Sequence, residues 1–97
     1  MLDRRLAKPA SVDAEQLAID ALGYIASEPN LMGRFLDLTG IEADGIRQAA
    51  DQPGFFVGVL DFLLANENDV VAFSHATGTP LEAVQIARDK LDRGPAS

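Results

Sequence analysis

Few side chains in this sequence could carry out chemistry, and the most reactive set lies in "AFSHATGTPLEA", residues 72–83. His75 is the only histidine of the chain, and Ser74 and Thr77 lie close to it. A histidine acts as a general base only when a substrate and an orienting partner are positioned around it, and the sequence indicates neither. Hydroxyl residues are also common at helix ends, where they bind backbone groups. We therefore predict no catalytic residue.

A second stretch, "GIEADGIRQAAD" at residues 40–51, resembles a calcium-binding loop, with Asp44, Gly45 and Asp51 in suitable places. The first ligand position of such a loop falls on Gly40, which has no side-chain oxygen, so the loop fails as a calcium site. The chain has no cysteine, which excludes disulfides and thiolate metal sites. The sequence predicts no metal site and no cofactor.

The elements that hold these residues are predicted to be helices. Apolar residues recur at spacings of three and four, and no run alternates with the period of two that is typical of strands. This pattern predicts an all-α protein, a compact bundle of about six short helices. The fourth helix, "FFVGVLDFLLA", is apolar on nearly every side, so we expect it to lie in the middle of the core, with Asp61 facing outward. The first predicted helix is capped by Asp13 and breaks at Pro29, the second stops at Gly40, and the third covers about 42–50. The fourth covers 55–65. The fifth runs from Asn66 or Asn68 to Thr77, and the sixth runs from Thr79 to about Asp92.

One phrase occurs twice, 38 residues apart: "RFLDLTGIEADGIRQAA" at 34–50 aligns with "AFSHATGTPLEAVQIAR" at 72–88. Each copy contains Thr-Gly, and a glycine can take the left-handed conformation just past a helix end without steric cost. Each copy therefore predicts a tight corner between two helices, with an aromatic ring about one turn before the glycine. The residues of the two predicted corners are Phe35, Thr39 and Gly40 in the first copy and Phe73, Thr77 and Gly78 in the second.

The repeat has two explanations. The chain is either two pseudo-repeated three-helix units that pack face to face, or a single bundle in which two unrelated corners use the same turn. The alignment of Ile46 with Val84 and of Asp51 with Asp89 favours the first explanation. Two units are too few for a solenoid, so they would have to close one core between them.

The charge of the chain is unevenly distributed. The net charge is −7, but residues 11–87 hold twelve carboxylates against Arg34 and Arg47, while both ends are slightly basic. An acidic body repels phosphate backbones and anionic lipid headgroups. The longest apolar run, Phe55–Leu64, is far shorter than the roughly 20 residues that span a bilayer. We expect a cytoplasmic protein with no membrane partner, and the charge disfavours nucleic acid.

Nucleic-acid binding stays an alternative because a helix, a tight glycine turn and a second helix also outline a helix-turn-helix motif. The branched residues Ile46 and Val84 each follow a corner glycine by six positions, which is typical of that motif and of any packed helical corner. DNA-binding helices usually neutralise several phosphates, whereas the first candidate helix has Arg47 as its only cation. A second alternative is a small-ligand or metal-binding protein with a site between the two halves.

Four phrases together resemble one protein family: "AEQLAIDALGYIA", "GRFLDLTGI", "PGFFVGVLDFLL" and "PLEAVQIARDKL". The family is a bacterial domain-of-unknown-function family of short, acidic, all-helical proteins, and the resemblance covers roughly residues 14–92. It implies an all-helical cytoplasmic domain and brings no activity, cofactor or site residues. Its most specific elements are Arg34, Phe35, Leu36, Thr39 and Gly40, followed by Pro53, Gly54, Phe55 and the segment Val59, Leu60 and Asp61.

The sequence therefore favours a non-catalytic protein-interaction module. Phe55 and Phe56 are the candidate partner contacts, because adjacent side chains on a helix diverge by about 100° and both rings need not reach the same core. The alternative is that both are buried, since a central helix has neighbours on two sides. The molecule that binds these side chains would be a protein partner or a second copy of the chain. We expect a flexible tail over 1–10, a single helical domain over 11–93 and a flexible end over 94–97.

Overall fold

A computed structural model of the protein describes residues 12–52 and 54–93. The chain forms six α-helices and contains no strand in these two ranges, which confirms the predicted all-α bundle. The predicted tails, 1–10 and 94–97, lie outside the described residues. The helices are α1 (Ala14–Ser27), α2 (Pro29–Thr39), α3 (Ile46–Ala49), α4 (Phe55–Leu64), α5 (Glu67–Thr77) and α6 (Leu81–Arg93), and a 3₁₀ turn at Ala43–Gly45 precedes α3.

Local side-chain chemistry sets where the helices begin. Asp13 caps α1, because its carboxylate accepts a hydrogen bond of 3.1 Å from the backbone N–H of Gln16. Asn66 caps α5 in the same way through the N–H of Asn68, which decides between the two predicted asparagines. Pro29 occupies the first turn of α2, where its missing N–H leaves no hydrogen bond unmade.

The two Thr-Gly corners have nearly the same geometry. Gly40 ends α2 with φ 74° and ψ 6°, and Gly78 ends α5 with φ 75° and ψ 11°, both in the left-handed region. The hydroxyl of Thr39 donates to the carbonyl of Phe35 at 2.8 Å, and the hydroxyl of Thr77 donates to that of Phe73 at 2.8 Å. Each corner therefore satisfies carbonyls at the end of its helix.

The third helix is shorter than the sequence predicts. Instead of one helix over 42–50, the chain forms the 3₁₀ turn and then only the four residues Ile46–Ala49. Gly45 is a weak helix former, and the chain turns after Ala49. The equivalent helix after the second corner, α6, has 13 residues. The corners thus match while the helices that follow them differ, and the arrangement as two pseudo-repeated units stays a prediction.

The core lies where α1, α4 and α6 pack against one another. As predicted, α4 is central: five of its ten residues are buried, including Val59, Leu60 and Leu63. Two corner phenylalanines are also almost fully buried. The ring of Phe35 lies edge-on to that of Phe62, with centroids 5.5 Å apart, and Phe73 is inaccessible to solvent. All buried side chains in the described ranges are apolar.

Two ion pairs join helices that are distant in sequence. Arg34 of α2 binds Asp69 of α5 at 2.8 Å, and its guanidinium lies 5.4 Å from the ring centroid of Phe62. Arg88 of α6 binds Asp61 of α4 at 2.8 Å, and this hydrogen bond and charge raise the pKa of Arg88. The Asp61 side chain is 50% exposed, so it marks the outward face of α4 as predicted. Exposed pairs of this kind contribute little stability, on the order of 0–1 kcal/mol in general.

Tyr24 joins α1 to the second corner. Its ring lies edge-on to that of Phe73, with centroids 5.6 Å apart. Burial raises the pKa of the Tyr24 hydroxyl, and the nearby charges of Glu28 and Asp69 raise it further. Both effects disfavour the phenolate.

None of the helices described is long and apolar enough to cross a membrane.

The corner geometry predicts opposite effects for two glycine substitutions in or next to α2. Gly40→Ala should lower the free energy of unfolding by about 1–2 kcal/mol, because a left-handed conformation is costly for a residue with a Cβ. Gly33→Ala should raise it by roughly 0.5–1 kcal/mol, because Gly33 lies inside the helix with open space around an added Cβ. Urea denaturation of both variants measures the difference. Equal changes of the free energy of unfolding in the same direction for both variants would contradict the assignment of Gly40 as the residue that ends α2.

Candidate partner-binding groove

The two candidate contact residues at the start of α4 lie in different surroundings. Phe55 is only 8% exposed, and its ring packs edge-on against Phe35 with centroids 6.0 Å apart. Phe56 is half-buried, with its ring centroid 5.2 Å from that of Phe55. Phe55 therefore faces the core, whereas part of Phe56 reaches the surface beside Val57.

The surface beside Phe56 is an open groove of about 670 Å³. It lies between the first turn of α1, the connection from α3 to α4, the start of α4 and the end of α6. Its volume falls within the roughly 300–1,000 Å³ that is usual for binding pockets. We name it the α1–α4–α6 groove. Its apolar lining consists of Ala14, Ala50, Phe56, Val57 and Leu91.

The charged lining of the groove is mainly acidic. Glu15, Asp51 and Asp92 contribute carboxylates, and Lys90 contributes the one ammonium group among the lining residues. The Nζ of Lys90 donates to the carbonyl of Val12 at 3.0 Å, so this cation connects α6 to the residue that precedes the N-cap of α1. The groove thus combines apolar side chains with an excess of negative charge.

Packing at distant points in the chain fixes the shape of the groove. Helix α6 is held mainly by Val84 and Ala87, which are fully buried, and the partly exposed ion pair of Arg88 with Asp61 adds a contact to α4. The cap by Asp13 fixes the first turn of α1. The groove therefore forms from residues that become neighbours only after the bundle has closed.

Most of the residues that line the groove carry no functional signal in the sequence. Val57 follows the two phenylalanines directly and could have been included with them. Leu91 and Asp51 carry no local pattern that sets them apart, because what makes them neighbours is the packing of α6 beside the start of α4. A long-range contact of this kind leaves no trace in helical periodicity.

The residues around His75 have structural partners. The hydroxyl of Ser74 donates to the carbonyl of Thr79 at 2.6 Å, and that of Thr77 donates to Phe73 as described above. The side chain of His75 is exposed in the last turn of α5. Both hydroxyls are thus directed to backbone carbonyls at the corner. Across the described parts of the chain, there is no group of three or more His, Cys, Asp or Glu side chains that could hold a metal ion.

The helices that follow the corners differ in what they could present to nucleic acid. Helix α3 has four residues, barely one turn, which is short for a recognition helix. Helix α6 is long enough but carries three acidic and three basic residues, and Arg88 is engaged with Asp61. Neither helix presents an excess of cations.

A family model described as "Protein of unknown function (DUF3572)" matches residues 11–94, and the chain therefore belongs to that family. The match confirms the resemblance to a family of unknown function that the four sequence phrases predict. No curated protein and no solved structure matches the chain.

The different surroundings of the two phenylalanines predict different costs of truncation. Phe55→Ala should lower the free energy of unfolding by about 3–5 kcal/mol, because it leaves a cavity beside Phe35. Phe56→Ala should cost about 1–2 kcal/mol, because part of its ring is already in contact with water. Urea denaturation followed by circular dichroism measures both values. If Phe56→Ala lowered the free energy of unfolding more than Phe55→Ala does, the assignment of Phe55 to the core and of Phe56 to the surface would be wrong.

Proposed function

We propose that the protein is a non-catalytic protein-interaction module and that the α1–α4–α6 groove receives a segment of a partner protein. The observation that carries this proposal is the apolar lining of the groove, where Phe56, Val57 and Leu91 meet at an open surface. Covering apolar surface is favourable by roughly 25 cal/mol per Å². A partner that buries these side chains would gain that free energy.

The openness of the groove favours a protein segment over a small molecule. Small-molecule sites usually enclose about 70–90% of the ligand surface. An open groove covers one face of a peptide and leaves the other face to the rest of the partner, as in helix-in-groove recognition. The acidic side chains of the lining could add polar contacts to the apolar ones.

The proposal predicts that peptides selected for binding depend on Val57. A random-peptide display library is selected against the wild-type protein, and the enriched peptides are tested on two variants. Val57→Lys places a cation within the apolar lining and should weaken binding by about tenfold or more. Ile19→Lys makes the same chemical change on the exposed face of α1, outside the groove, and should leave the affinity within about twofold.

Circular dichroism and urea denaturation would first establish that both variants fold. Selected peptides that bind the wild type and the Val57→Lys variant equally well would contradict the groove as the contact surface. A selection that enriches no peptide at all would contradict the proposal as a whole.

A further inference from the structure

We propose that the segment bound in the α1–α4–α6 groove is cationic, with lysine or arginine residues flanking its apolar side chains. This inference rests on the proposed function and adds the chemistry of the partner. It follows from the charges of the groove lining, which includes the three carboxylates of Glu15, Asp51 and Asp92 and one ammonium group, that of Lys90.

The carboxylates of the groove differ in how far they are neutralised. Asp92 lies 3.3 Å from a guanidinium nitrogen of Arg88, so its charge is partly balanced. Among the described residues, Glu15 and Asp51 form no salt bridge, and both are exposed. Two exposed carboxylates of the groove lining are thus available to a basic partner.

The rest of the body strengthens this preference. The described residues hold fourteen carboxylates against five basic side chains, so the body that surrounds the groove carries an excess of negative charge. The field of this charge speeds the approach of basic partners and slows that of acidic ones. A second copy of the chain would bring its own acidic body to the groove, so charge complementarity favours a basic partner over self-association.

The probe for this inference is an amphipathic peptide of about 14 residues that contains only leucine and lysine. Its counterpart has glutamate in place of every lysine and therefore keeps the same apolar residues. Fluorescence anisotropy measures the binding of each peptide to the wild-type protein. We expect the lysine peptide to bind, the glutamate peptide to bind at least about tenfold more weakly, and the affinity to fall as NaCl rises from about 50 to 500 mM.

Two double variants with the same change in net charge test where the cations bind. Glu15→Gln with Asp51→Asn removes both available carboxylates of the groove and should weaken binding of the lysine peptide by about 3–10-fold. Glu67→Gln with Asp37→Asn is the matched control, because Glu67 also lies in the first turn of a helix and Asp37 is also exposed. The control should leave the affinity within about twofold.

The outcomes separate this inference from the function on which it rests. If both peptides bind equally, or if both double variants weaken binding equally, the groove does not select cations and this inference is wrong. In that case a loss of binding by Val57→Lys alone would still support the interaction module. A wild-type dimer that Val57→Lys dissociates, seen by light scattering, would assign the groove to a second copy and overturn the cationic partner.

Discussion

The packing of α6 against both α1 and α4 is the constraint on which the rest of the structure depends. The chain can bring α6 there because Gly78 adopts a left-handed conformation that ends α5 and turns the backbone within three residues. Val84 and Ala87 then become fully buried, and Lys90 reaches the carbonyl of Val12. The groove exists only where these helices meet, so the corner at Gly78 ultimately positions the proposed contact surface.

Apolar and charged side chains occupy different parts of this molecule and have different roles. The buried side chains of the described residues are apolar and supply the stability of the bundle. The ion pairs of Arg34 with Asp69 and of Arg88 with Asp61 lie at the partly exposed surface and connect helices that are distant in sequence. Because such pairs are partly exposed, each contributes little to the free energy of unfolding. The remaining carboxylates give the surface, and the groove with it, a negative charge.

Much of the fold could be predicted because its signals are local. The cap at Asp13, the proline at the start of α2 and the helical spacing of apolar residues each act within a few residues. The length of α3 was predicted wrongly, because the predicted range contains Gly45, a weak helix former, and the chain forms a 3₁₀ turn up to that residue. The groove could not be predicted, since Glu15 and Leu91 become neighbours only through the packing of α1 on α6.

Native-state hydrogen exchange tests most directly whether α6 belongs to the cooperative core. The account predicts that amides inside α1, α4 and α6 exchange with the free energy of global unfolding, whereas those of the short α3 exchange through openings of lower free energy. Urea denaturation under the same conditions supplies the global value for comparison. If the inner amides of α6 exchanged as readily as those of α3, α6 would not be held against α1 and α4, and the account would be contradicted.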